Sequence, residues 1–162
     1  MEPMVDIVEA DLSQPGHQRD VLALTAAYAL DPMGNNGPLA PEVLGRLISG
    51  LRDHPTTLIF LAYIDKKAVG IATCFRGFST FQARPLVNIH DLAVLPEYRG
   101  QGVGRKLLSA VEAKARELGC CRVTLEVQEN NLTARRLYEH TGFAQAVYGK
   151  ATGGSFFYVK PL

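Results

Sequence analysis

The chain has 162 residues, 47% of them hydrophobic and 20% charged, with a formal charge of +1. That is the size of one globular domain able to bury a core, so a single domain over residues 1–162 is expected. A near-neutral balance offers no electrostatic footprint for nucleic acid or an anionic membrane, and no apolar run approaches spanning length.

The opening Met1-Glu2-Pro3-Met4 has no leader pattern, so a cytoplasmic location without a membrane or nucleic-acid partner is expected. Residues 5–10 are β-rich and read as a first strand ending at Asp11 and Ser13. Residues 18–30 read as a helix with Val21, Leu22, Leu24, Thr25 and Tyr28 inward, stopped by Asp31-Pro32. A polar Gly/Asn/Pro loop over 31–38 follows, and Pro41 opens a second helix that Asp53-His54-Pro55 ends. Residues 57–64 and 68–75 are apolar strands joined at Asp65-Lys66-Lys67, an antiparallel hairpin. Residues 76–84 read as a loop holding Phe78 and Phe81, and 86–94 as another strand. Cys74, Cys120 and Cys121 lack metal-ligand spacing, so no metal is expected.

That strand turns through Arg99-Gly100-Gln101-Gly102-Val103-Gly104-Arg105 into a helix with Val103, Leu107, Leu108, Val111, Ala115 and Leu118 on one face, closed by Gly119. Alternating glycines remove the side chains that would keep a ligand off the backbone. The amides converge at a helix N-terminus, where free donors and the dipole favour phosphate, and Arg99 and Arg105 add charge. A Walker loop needs Gly-Lys-Ser/Thr and a dinucleotide fingerprint needs G-x-G-x-x-G; neither is present. Residues 122–128 then read as a strand parallel to 86–94, and 133–140 as a short helix after Asn131, closed by Gly142. A terminal hairpin over 143–148 and 155–160, around Thr152-Gly153-Gly154, is expected, and its exposed edges leave a homodimer open.

Arg99-x-x-Gly102-x-Gly104 resembles the coenzyme A signature of the GNAT superfamily of acyl-CoA-dependent N-acyltransferases. The element order β-α-α-β-β-β-α-β-α-β-β is similar to that whole fold, an α/β (α+β) architecture with a mixed central sheet of about seven strands flanked by about four helices. The resemblance implies acetyl-CoA as cosubstrate, held by Leu92, Ala93 and Val94 on a splayed strand and by Arg99, Gly100, Gln101, Gly102, Val103, Gly104 and Arg105 in the turn. It also implies that the 31–38 loop and second helix line the acceptor side. The reaction it implies is direct acetyl transfer to the primary amine of a small molecule. A protein N-terminal or lysine acetyltransferase, or a non-catalytic acyl-CoA-binding sensor, are the alternatives.

Acyl transfer to an amine needs a neutral nucleophile, a stabilised oxyanion and a proton for the departing thiolate. Asn131-x-x-Ala134-x-x-x-Tyr138 is similar to the family's second motif, which places Asn131, Ala134 and Tyr138 at the cofactor and makes Tyr138 the proton donor; its other reading is a core tyrosine. Arg135 and Arg136 reach a nucleotide phosphate or face solvent. His90 and Asp91 are the candidate bases; strict alternation sends them to opposite faces unless a bulge intervenes, with Glu126 a weaker third. His17, His54 and His140 read as surface. The stretch from Phe78 to Gly102 looks closest to the polyamine and thialysine N-acetyltransferases, which carry Glu-Asp where this chain has His90-Asp91, so neither their substrate nor their base transfers. Phe75, Phe78 and Phe81 either wall an acceptor pocket or serve as core and dimer contacts.

Overall fold

The computed structural model describes residues 3–151 and 153–162; Met1, Glu2 and Thr152, the last in the expected terminal turn, lie outside the described residues. Residues 1–128 and 129–162 form two units. The first holds β1 (Asp6–Glu9), α1 (Pro15–Ala29), α2 (Pro41–Asp53), β2 (Thr57–Ile64), β3 (Lys67–Ser79), β4 (Arg84–Val94), a 3-10 turn at Pro96–Tyr98, α3 (Val103–Glu117) and β5 (Val123–Leu125). The second holds α4 (Leu132–His140).

The strands form one mixed sheet in the order β1-β2-β3-β4-β5, antiparallel throughout except for the parallel β4/β5 pair. Ile71 of β3 packs with Leu12, Val21, Leu24, Ile59 and Leu61 on the α1 side. Its neighbour Gly70 faces α3, as period-two alternation requires: a Cβ there would stand 3.0 Å from Val103 Cγ1 and 3.2 Å from Leu107 Cδ1. The missing side chain thus lets the start of α3 lie against the sheet. α3 buries Val103, Leu107, Leu108, Val111 and Ala115, and a Leu107→Ala truncation is worth about 2–5 kcal/mol at such a site.

Several expectations need correction. α1 starts at Pro15 rather than residue 18, because proline suits the first helical position, where its missing N–H has no partner to lose. The 76–84 loop is mostly strand: Phe75 to Ser79 pair with Asn88 back to Arg84, carrying the β3/β4 hairpin past the core and leaving Phe78 and Phe81 63% and 95% exposed. β5 keeps only residues 123–125 of the expected 122–128.

The largest correction is to the sheet itself, which among the described residues has five strands where about seven were expected. Gly153 has the left-handed φ of 67° that a turn uses, yet 143–151 and 153–162 contain no strand. Phe156-Phe157-Tyr158-Val159 is apolar on both faces and every one of the four is exposed, so alternation gives this hairpin no single face to bury. Without it, the expected homodimer loses the edge it rested on. Among the described residues no helix is long and apolar enough to cross a membrane.

Candidate active site

The register of β4 is decided by one residue. Asp91 pairs with Thr73 but Ile89 pairs with Cys74, so His90 is an extra residue bulged out of the ladder. Before the bulge, Val87 N–H donates to Arg122 O beside β5 at 3.2 Å. After it, Leu95 N–H donates to Val69 O on the β3 side at 2.9 Å. Backbone groups alternate along an antiparallel strand, so those of Leu92 and Val94 point away from β3. The β4/β5 ladder ends at Ile89 opposite Leu125. The sheet therefore has a notch, with the N–H and C=O of Leu92 and the N–H of Val94 along one wall.

The bulge also settles where His90 and Asp91 point. Asp91 lies opposite Thr73, on the α1 face with Ile71. The His90 ring makes an edge contact with Phe75 at 5.6 Å, and Phe75 meets His54 in the same way at 5.3 Å. Phe75 is two residues beyond Thr73, so both candidate bases share the α1 face, where strict alternation would have parted them. His90 is exposed. Burial raises the Asp91 carboxyl above the ordinary aspartate range, opposed by the nearby His90. Burial first, then the charges of Asp91 and Asp31, also raise the Tyr28 phenol, which keeps it a proton-bearing donor. The Cys74 thiol is pushed up to about 12 by burial and by Asp91, which leaves it inert. Glu126 is exposed beyond the end of β5.

Beyond β4 the chain enters the glycine turn. Gly100 and Gly102 have φ of 74° and 81°, and a Cβ built on either meets no atom within 4 Å, so open space lies before them. Gly102 is the N-cap of α3; no side chain among the described residues caps the helix, and its first turn holds no acid. Arg105 and Lys106 are exposed there. The residues fit an anionic phosphate group, because amides without a side-chain cap, the positive end of the helix dipole and two exposed cations all belong to the first turn of α3. Gln101 turns away, its Nε2 donating to Glu97 O at 3.4 Å.

The Arg99 guanidinium is already engaged. Its Nε donates to Val94 O at 3.0 Å and its Nη2 to Asp31 Oδ2 at 2.7 Å. Asp31 Oδ1 accepts the Met33 N–H at 2.8 Å; that bond first, and the Arg99 bond second, hold the carboxyl below the usual range. Tyr28 Oη and Gln128 Nε2 both donate to Met33 O, at 3.4 Å and 3.2 Å. Residues 31–36 are thus ordered by contacts. Beside them is a cavity of about 410 Å³ lined mainly by apolar side chains of α1 and the end of β4, with Tyr28, Asp31 and Arg99 among its walls. Sequence reasoning missed Tyr28 and Asp31: one sat among inward helix positions, the other in a helix stop. An acid placed just where a helix must end was the available signal.

In the second unit, Asn131 Oδ1 accepts the Ala134 N–H at 3.2 Å and so caps α4. Asn131 and Ala134, expected at the cofactor, are bonded to each other. Arg135 Nη1 donates to Glu129 O at 2.8 Å. Tyr138 is buried, with its ring edge-on to Phe143 at 5.9 Å.

This fold is shared by a solved probable acetyltransferase, with a TM-score of 0.79 over 97% of each chain and 24% identity. It is also shared by an aminoglycoside N-acetyltransferase solved in complex with CoA, with a TM-score of 0.73 over 100% of this chain and 98% of that one, at 18% identity. The class is that of a mixed-sheet α/β fold with helices packed on the sheet. The chain belongs to the acetyltransferase (GNAT) family, which it matches over residues 24–143. Among curated relatives, an uncharacterized N-acetyltransferase of Archaeoglobus fulgidus is 40% identical over 81 residues, covering 49% of this chain and 55% of the relative. A thialysine N-epsilon-acetyltransferase of Bos taurus is 36% identical over 74 residues, covering 46% and 43%. The chain spans about half the length of these relatives.

Proposed function

We propose that this chain is an acetyl-CoA-dependent N-acetyltransferase that transfers the acetyl group in one step to the primary amine of a small molecule. The observation that carries the reading is the notch after the His90 bulge, followed along the chain by the uncapped start of α3. A thioester with a peptide-like arm and a diphosphate matches both: the Leu92 and Val94 backbone pairs with amide groups as an added strand would, and the α3 amides hold the phosphates. That a solved neighbour of like fold was obtained with CoA supports the same ligand. The family match crosses residues 128 and 129, which supports treating 1–162 as one functional domain.

On this reading an N–H at the notch polarises the thioester carbonyl and stabilises the oxyanion. His90 and Asp91 share the face that receives the amine and take its proton, directly or through water; burial makes Asp91 a stronger base than an ordinary carboxylate. Tyr138 gives a proton to the departing thiolate. A cavity of about 410 Å³ suits a small acceptor, as do the named acceptors of the aminoglycoside and thialysine enzymes. The test is thiol release from acetyl-CoA against amines, amino acids, polyamines and lysine peptides, with CoA affinity measured by calorimetry. Turnover of small amines supports the reading; turnover of peptides alone, or CoA binding with no turnover at all, overturns it in favour of a protein acetyltransferase or a sensor.

A further inference from the structure

We infer that Arg99 is a positioning residue of the amine side, strapping the loop after α1 to the acylating edge of β4, and is not a ligand of the cosubstrate's phosphates. This rests on the proposed activity. Arg99 lies at the first position of the glycine turn, where a phosphate contact is the obvious assignment. Its guanidinium is instead divided between two partners on opposite sides of the cavity: the Val94 carbonyl on the sheet and the Asp31 carboxylate after α1. Turning it to a phosphate would break both bonds and leave Asp31, 18% exposed, without its cation. Arg105, Lys106 and the uncapped amides already supply the phosphate end.

The strap does more than close an ion pair. Asp31 also holds the Met33 N–H, its carbonyl accepts the Gly34 and Asn36 N–H groups, and Met33 O is held by Tyr28 and Gln128. Arg99 is therefore the end of a bonded chain that fixes residues 31–36 at the cavity rim. At its other end it occupies Val94 O, so the open edge of β4 stops there. One side chain thus sets the distance between the cavity, on the face that carries His90 and Asp91, and the edge where the thioester lies. Loosening it should change how an amine is placed and leave CoA held as before.

The test compares Arg99→Gln, Arg99→Lys, Asp31→Asn and the Arg99→Gln/Asp31→Asn pair by CoA affinity, by amine KM and kcat, and by hydrogen exchange at the Met33, Gly34 and Asn36 amides. Each neutral single variant is expected to raise amine KM about tenfold, the scale of one charge-assisted hydrogen bond. CoA affinity should stay within about twofold, exchange at the three amides should quicken, and the double variant should be no worse than either single, as groups acting together require. Arg99→Lys, which keeps the charge, should recover part of the loss. A tenfold loss of CoA affinity in Arg99→Gln with amine KM unchanged would make Arg99 a phosphate ligand and end the proposal. Unaltered exchange and KM in the near-isosteric Asp31→Asn would end it equally, even if Arg99→Gln did not fold. A wild-type protein that acetylates no amine sinks the activity, while the exchange and CoA measurements still judge the strap.

Discussion

α3 and α4 each follow a strand of the parallel pair, and their first turns are built on opposite principles. α3 begins on a left-handed glycine with no side chain over its amides; α4 begins on Asn131, whose side chain takes the Ala134 N–H. A glycine in place of an asparagine at the N-cap costs only about a few tenths of a kcal/mol, so the open start of α3 is cheap to keep. The difference teaches that neighbouring helix starts can be left open or closed by one residue choice: the α3 amides stay available to a ligand, and those of α4 are partly used by its own cap. Gly102 and Asn131 have equal standing in the resemblance, and they differ in local bonding: one leaves its helix amides free and the other occupies the Ala134 N–H.

The hardest way to break this contrast is to fill the open end. Gly102→Glu forces a side chain onto a φ of 81° and sets a negative charge against the cradle, and calorimetry should find CoA affinity reduced by about a hundredfold or more. Undiminished affinity would remove the cradle from the site. Tyr138→Phe probes what the capped helix carries: kcat should fall by roughly 10²–10⁴-fold, the range for a lost general acid, with CoA affinity kept. A normal kcat would return Tyr138 to the core.

A pH series sharpens the view of the β4 side. The folded-state pKa of Asp91 is raised above 3.8 by burial, so the native state binds the extra proton and stability falls as pH rises from 3.8 through the raised value. Asp91→Asn should accordingly lower turnover yet raise Tm at pH 7, with a smaller gain at pH 4. Asp31 has the opposite sign: its depressed pKa gives stability that is complete above 3.8 and lost as pH falls through the native value. The smallest effect is expected from Asn131→Ala, which should cost about 1 kcal/mol in thermal or denaturant unfolding, the worth of an N-cap. CoA affinity measured alongside decides the second role: a tenfold loss would make Asn131 a cofactor ligand, as the resemblance implies, and an unchanged value would leave it a helix cap.

What could be read from the sequence was what local rules decide. The helix starts at Pro41 and Val103 and the strand at 57–64 follow from proline, glycine and apolar spacing, and each stands where expected. The glycine turn was legible because its chemistry lies in consecutive residues. The bulge was not, since nothing in Ile89-His90-Asp91 says that Cys74 will pair with Ile89 and Thr73 with Asp91; that is settled by two strands meeting. Nor was the Arg99–Asp31 bond, whose partners are 68 residues apart. The terminal hairpin failed for a related reason: turn residues announce a bend, but strands form only where an apolar face has somewhere to go.

The notch in β4 has one more consequence, for how the protein stays out of trouble. An unpaired strand at the rim of a sheet is a template on which other chains can add and aggregate. This one is unpaired inside the sheet, with β5 beside its first half, and Leu92 and Val94 present their backbone there before the Arg99 guanidinium takes the Val94 carbonyl. Ordinary strands run to about five or six residues, so the opening is too short to seed an intruding one. An opening that short has room for a slender thread of amides and little for a polypeptide ribbon, so its unpaired backbone is a poor template for neighbouring chains.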